Sequence, residues 1–403
     1  MPTMTWPHSS PPSSGEIPLL DPDRASDIEA KHRLVAEFLE QHGYHALLLE
    51  EPQNFAWFTS GGDSTRGGSP ETTAALFITP DARVVVTNSV DSGQLFDYEL
   101  HGMGFQLKER PWEEPGRLLI EDLCRGRAVA GDAARPGLRD VSMHLGGMRL
   151  PLTDFECRRL HEVGRGVAHA VEATCRQLDA GRTEADIAGE LAHRLLRRRI
   201  LPERLQVAGD GRNRRYRHWT FGAERVERYC VVSAVGRQHG LLAAATRTVS
   251  FGEPPREIRD GHNRALLMQA TGMFFSQRDW ELFEVWDRVE RIYDKFNYPN
   301  EWRLAEQAEV VGYNLCEAPL LPKSEFRLAA GMAVFWHPSV GPAVIADTIL
   351  VGENGFELLT PMEQWPRVTV TVKGTPIPRP SILERDTSDP GSSDSVLSFD
   401  RLD

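Results

Sequence analysis

"VVSAVGRQHGLLAAATRTVSFG" (Val231–Gly252) reads as two apolar strands joined by a glycine-bearing turn. The second strand carries Ala243, Ala244 and Ala245 in succession, and alanine is poor strand material. Small side chains there leave space for something else, yet the hairpin offers no carboxylate to hold it.

Working outward, strands dominate 203–252, two helices occupy roughly 258–296, and strands return from about 303 to 372. Upstream, Thr153 or Asp154 caps a long amphipathic helix that Gly181 stops, and Thr183 with Asp186 opens a second as a capping box. Paired helices against a mixed, largely antiparallel sheet predict an α+β domain over 151–373. Residues 25–150 alternate short strands ("ALLLE", "AALFITP", "RVVVTNS", "FQLKER") with helices, the first in "ASDIEAKHRLVAEFLEQHG". They predict a smaller α/β domain. The Pro/Ser-rich start (1–24) and the polar, acidic end (374–403) predict disordered tails.

The 403 residues are 40% hydrophobic and 26% charged, the composition of an ordinary globular protein. A net charge of -12 disfavours general nucleic-acid binding. No apolar run approaches the roughly 18 residues of a membrane span, and the N-terminus lacks signal-peptide texture, so the cytoplasm is the default expectation. Five scattered cysteines (Cys124, Cys157, Cys175, Cys230, Cys316) without a CxxC pair suit a reducing compartment and predict neither disulfides nor structural zinc.

Six segments resemble, in order, the creatinase, prolidase and aminopeptidase P family, whose C-terminal domain has the pita-bread fold. They are "NFAWFTSG" (54–61), taken as a strand motif of the N-terminal domain, "DAGRTEADIAGEL", "RYRHW", "TRTVSFG", "GYNLCEAPLL" and "GMAVFWHPSVGPAVIADTILV". The resemblance covers about 30 to 372. It implies a pita-bread α+β domain behind a creatinase-type N-terminal domain, and two divalent Mn, Co or Zn ions held by two Asp, one His and two Glu.

Carried over position by position, those ligands are missing. The first Asp falls on Ala234 (or Ser233, the turn being one residue short), the second on Ala244, the His on Glu309, and the two Glu on His337 and Ala346. The substrate-side His residues fall on His218 and Cys316, and the substrate-contacting Arg on Val344. A two-metal hydrolase needs bridging carboxylates, so no metal ligand and no cofactor are assigned. The exchanged Glu309 and His337 suit a hydrogen-bonded pair.

Three readings stay open. In the first, the chain is a non-hydrolytic pseudo-peptidase that binds a peptide or small molecule in the old cleft. That pocket is lined by His218, Glu309, Tyr313, Cys316, Glu317, His337, Ala234, Ala244 and Ala346. In the second it is a metal-independent, creatinase-like hydrolase of a C–N bond, with His218, Glu317 and Glu309 as its catalytic groups. In the third it is an Xaa-Pro metallo-aminopeptidase with unconventional ligands. The bland alternatives are a solvated His218 and a buried, inert Cys316. Nine arginines within 194–217 read either as a solvated helix end or as anion-recruiting groups beside His218. The family's habit of dimerising leaves a homodimer open.

Overall fold

The computed structural model describes residues 20–66, 69 and 71–385. The stretches 1–19 and 386–403 of the two expected tails lie outside the described residues. The chain forms two compact units that part between Ser142 and Met143, ahead of the expected boundary at 150.

The first unit is built on six strands: β1 (Ala46–Leu49), β2 (Ala74–Thr79), β3 (Ala82–Asn88), β4 (Gln106–Arg110), β5 (Val129–Gly131) and β6 (Arg139–Asp140). They lie in the order β4-β3-β2-β1-β5-β6. The β1–β2 and β2–β3 pairs are antiparallel and the others parallel, the mixed sheet of an α/β unit. Helix α1 (Pro22–His42) starts earlier than expected. Asp21 caps it by accepting from the Arg24 amide, and Gly43 ends it at φ 70°. Helix α2 (Pro52–Phe58) corrects the strand expected from "NFAWFTSG". Pro52 sits in its first turn, where a missing N–H costs nothing. The turn α3 (Ser92–Gln94) and helix α4 (Arg117–Cys124) complete the unit.

After α5 (Ser142–Met148), the second unit opens with α6 (Asp154–Gln177) and α7 (Glu184–Leu196). Both begin in capping boxes, Thr153 with Glu156 and Thr183 with Asp186. Strands β7 (Leu201–Gly209), β8 (Tyr229–Gln238) and β9 (Leu241–Phe251) form an antiparallel meander. His239 and Gly240 (φ 54° and 76°) make the two-residue β8–β9 turn, and two positive φ angles match the twist of a tight hairpin. Helices α8 (Arg256–Phe275) and α9 (Leu282–Lys295) follow. Next come β10 (Ala308–Val311), β11 (Ala318–Pro319), β12 (Ala333–Trp336), β13 (Ser339–Val340), β14 (Ala343–Val344), β15 (Asp347–Gly352) and β16 (Gly355–Leu358). A second sheet runs β11-β10-β12-β15-β16, and β13–β14 is a separate hairpin.

Strands β17 (Arg367–Val372), β18 (Thr375–Pro380) and β19 (Leu383–Arg385) carry order past the expected limit of 373. β19 adds in parallel to the free edge of β9. Main-chain pairing to an edge that needs a partner holds this segment, which composition alone reads as tail.

A buried ion network joins the two sheets. Arg247 on β9, fully buried, meets Glu172 of α6 at 3.1 Å and Asp347 of β15 at 2.9 Å. Arg379 pairs with the same Asp347, and the Thr360 hydroxyl donates to it at 2.9 Å. One residue before Arg247 and Asp347, Thr246 and Ala346 form an isolated bridge, with the Thr246 amide donating to the Ala346 carbonyl at 2.9 Å.

Helix α8 braces the far side. A Cβ at Gly272 would lie 2.4 Å from the Trp336 ring, and one at Gly261 2.7 Å from the Val340 carbonyl, so both glycines permit close approach. Its buried His262 donates from Nε2 to the Pro380 carbonyl at 2.9 Å, and burial lowers its pKa to about 4. No helix among the described residues is long and apolar enough to cross a membrane.

Arg247→Met is expected to cost about 3 kcal/mol or more in urea denaturation, because it strands buried carboxylates. Acid provides a second check. The unfolded chain protonates His262 near pH 6.5 while the folded chain resists until about pH 4. Stability from this residue is therefore full above pH 6.5 and falls by about 3 kcal/mol as the pH drops towards 4. His262→Asn should flatten that part of the pH–stability curve.

Candidate functional site

Side chains on a strand alternate between faces, so register decides what reaches the cleft. Across the meander, Gln206, Ser233 and Thr246 lie directly opposite one another, and the bridge extends this row to Ala346. Arg204, Val235 and Ala244 form the next row on the same face. Ala234 pairs with Ala245 and points the other way, with Gly236, whose added Cβ would strike Val167 of α6 at 2.6 Å. The expected Ala234 is thus corrected to the alternative, Ser233, because a slip of one residue reverses every side chain.

One cavity of about 30 Å³ opens on the first row. Gln206, Ser233, Thr246 and Ala346 contribute to its floor, and Arg204, Arg217, His218, Phe335, His337, Ser339 and Val344 also line it. The Thr246 hydroxyl donates to Ser233 Oγ at 2.8 Å. His337 stacks on Phe335 (centroids 4.4 Å apart), and its Nε2 lies 2.5 Å from Glu309 Oε2, which turns the exchanged Glu and His into a hydrogen-bonded pair. Trp336, braced by Gln269 of α8 and by Ser276 just past its end, sets where that histidine emerges.

His218 sits on the loop after β7, with its side chain 59% exposed and Nε2 3.2 Å from Glu306. The Glu306 carboxyl is held below the usual range by its own backbone N–H and by the nearby His218 and His337, against burial. Buried Glu184 organises this loop. Its carboxylate accepts from the Gly209 and Gly222 amides, Arg212 Nε and Trp219 Nε1, each at 2.8 Å. The Thr-Glu helix start legible in the sequence therefore anchors the segment that carries His218.

Of the nine expected pocket residues, His218, His337 and Ala346 line this cavity, whereas Ala234, Ala244, Glu309, Tyr313, Cys316 and Glu317 do not. Glu317, 2% exposed, is taken by Arg149 at 2.5 Å and by the Asn314 amide at 3.0 Å. Tyr313 donates to buried Glu156 at 2.6 Å. Cys316 is exposed, not the buried hydrophobe of the bland reading, and partial desolvation with Glu309, Glu317 and Glu306 nearby pushes its thiol up to about 11. It is no thiolate nucleophile at neutral pH. The triad of His218, Glu317 and Glu309 is not assembled, since Glu317 is spent on Arg149. Among the described residues, no group of three or more His, Cys, Asp or Glu side chains gathers where a metal ion could be held.

Sequence reasoning missed Arg204, Gln206 and Ser339 as lining residues. The i, i+2 spacing of Arg204 and Gln206 puts them on one face of a strand, but which face meets the cleft depends on pairing with β8. The arginine run divides. Arg194 pairs with Glu190, Arg212 with Glu184, Arg214 with Glu257 and Arg217 with Glu301.

Residues 158–353 match metallopeptidase family M24. Solved structures agree on the fold. A prolidase from Pyrococcus horikoshii is 17% identical, with TM-score 0.70, over 83% of this chain and 99% of its own. An Xaa-Pro dipeptidase from Bacillus anthracis is also 17% identical, with TM-score 0.70, over 90% and 100%. The N-terminal domain of the FACT complex subunit SPT16 from chickpea (Cicer arietinum) shares the fold at 9% identity, with TM-score 0.66, over 84% and 97%. Comparison with curated proteins finds no match.

Arg149→Met is expected to lower stability in urea by about 3 kcal/mol, because it leaves Glu317 buried with only amide donors. A catalytic Glu317 would instead show itself as lost turnover at unchanged stability.

Proposed function

We propose that this M24-fold chain is a non-hydrolytic member of the prolidase and aminopeptidase P group that has lost the dinuclear ligands and binds a peptide or small molecule in the former metal cleft. The observation that carries this reading is that Ser233 and Ala244, on one face of the meander, and Ala346, bridged to it, put a hydroxyl and two methyls where bridging carboxylates would be required. Two divalent ions about 3.5–4 Å apart need such bridges. The remaining His337 and Glu309 are bonded to each other, and Ala244 offers no donor. This set does not fit the metals.

Loss of the ligands is coherent. Carboxylates packed together without cations repel one another, and most would have to hold protons. Replacing them with small neutral side chains removes that strain and leaves the fold standing. A fold shared by proteins named prolidase, dipeptidase and complex subunit does not dictate hydrolysis.

The test is elemental analysis of protein purified without chelator, alongside hydrolysis of a proline dipeptide with and without chelator. The expected result is no stoichiometric metal and no chelator-sensitive turnover. Two tightly bound ions per chain with such turnover would overturn the reading.

A further inference from the structure

We propose that a second cavity in the same unit, where Arg212, Arg214, Arg215 and Arg228 surround the Tyr229 hydroxyl, binds the phosphate group of a phosphate monoester. It has a volume of about 570 Å³ and shares no lining residue with the cavity beneath His218. Its chemistry is independent of whether the cleft holds metal.

The chain carries a net charge of -12, yet four guanidinium groups meet at this one cavity, and arginine does not lose its proton in proteins. Two of the four are committed. Arg212 Nε binds buried Glu184 at 2.8 Å, and Arg214 pairs with Glu257. The other two keep their donors. Arg215 has no carboxylate partner among the described residues and lies over the Tyr216 ring, 5.4 Å from its centroid. Arg228 stands 3.8 Å from Asp210, outside hydrogen-bond reach. The Asp210 oxygens are taken up by the main chain, accepting from the Glu227, Arg228 and Tyr229 amides at 2.8, 2.9 and 3.1 Å.

The floor supplies a neutral donor. Tyr229 is 4% exposed, its ring held in a small apolar cluster with Ile258, Ala343 and Ile382. Its hydroxyl has no hydrogen-bond partner among the described residues. A Cβ at Gly211, which lines the cavity, would lie 2.9 Å from that oxygen, so the glycine leaves it open. Burial, helped by Asp210 and Glu257 and opposed by Arg228 and Arg214, pushes the phenol up to about 12, and it remains a donor at neutral pH. A buried hydroxyl left unpaired is costly.

Donors thus come from three groups, two uncommitted guanidinium forks and one phenol. A planar carboxylate is satisfied by a single fork, whereas a phosphate monoester offers three terminal oxygens, each a strong acceptor. The volume falls within the roughly 300–1,000 Å³ of ordinary small-molecule sites, so there is room for the body that carries the phosphate. The same group is available from a small phosphorylated molecule and from a phosphorylated side chain of a peptide.

The test titrates the full-length protein by calorimetry with glycerol phosphate against glycerol, and with an end-blocked phosphoserine pentapeptide against its unphosphorylated form. Saturable one-site binding of glycerol phosphate, at least about tenfold tighter than glycerol, supports a free phosphorylated molecule. Binding of the phosphopeptide alone supports a phosphorylated chain, and binding of both supports recognition of the phosphate itself. Arg215→Gln and Arg228→Gln should each weaken the bound probe by about tenfold. Tyr229→Phe should weaken it by a few-fold without lowering the thermal midpoint, because the hydroxyl it removes has no internal partner. Arg125→Gln, at an exposed arginine of the first unit, should leave affinity unchanged. No binding of either phosphorylated probe, or full affinity in both Arg215→Gln and Arg228→Gln, overturns the inference. So does an equal loss in Arg125→Gln, or a lowered midpoint at unchanged affinity in Tyr229→Phe.

Discussion

The ion network of Arg247, Asp347, Glu172 and Arg379 is the constraint on which the second unit turns. Two sheets meet through the isolated bridge of Thr246 and Ala346, the Leu242 amide on the Gly312 carbonyl and the Thr348 hydroxyl on the Ala244 main chain, too little main-chain pairing to fix their relation. Arg247 and Asp347, the next residue on each strand, are buried and joined at 2.9 Å, with Glu172 drawing in α6 and Arg379 drawing in β18. Buried charges are expensive unless each is paired and hydrogen-bonded. This one pairs its charges from four elements at once, with Arg379 Nε alone left unbonded, so the sheets cannot slide without stranding a charge. Because strand faces alternate, the same clamp turns Thr246 and Ala346 towards the cleft.

That geometry separates scaffold from chemistry. Asp347 sits one position after Ala346 and Arg247 three after Ala244, so the clamp lies beside the positions where the resemblance puts metal carboxylates without depending on them. Folding needs the clamp. Only metal binding needs those positions. The Glu309–His337 pair follows the same logic, since each group supplies the charge or donor the other requires.

Around this floor, rigidity comes from close approaches rather than from many polar ties. Glycines on α8 let the helix lie directly against Trp336 and Val340, which sets where His337 and Ser339 emerge. Glu184, buried with four donors on its carboxylate, does the equivalent for the His218 loop. The exposed His218 is thus carried on a firmly held loop above the small cavity. The carboxylate that would complete a catalytic set, Glu317, is locked to Arg149.

Much of this was legible in the residues themselves. Hydrophobic periodicity, capping boxes at Thr153 and Thr183 and the glycine-bearing hairpin are local signals, and local signals gave the α/β and α+β units and the ordered motifs of the family. The same residues place alanine at positions where the resemblance expects metal carboxylates, and an alanine carries no donor in any fold. Facing, pairing and edge completion belong to the tertiary structure alone. The choice between Ser233 and Ala234 rests on a two-residue turn. The seven-residue segment Pro52–Phe58 is helical in a setting that favoured a strand by analogy. Residues 374–385 are ordered because β9 has an edge to fill, and Arg204 reaches the cavity because β8 pairs with β7 in one register. Each depends on contacts between residues far apart in sequence, and composition and spacing carry no term for those.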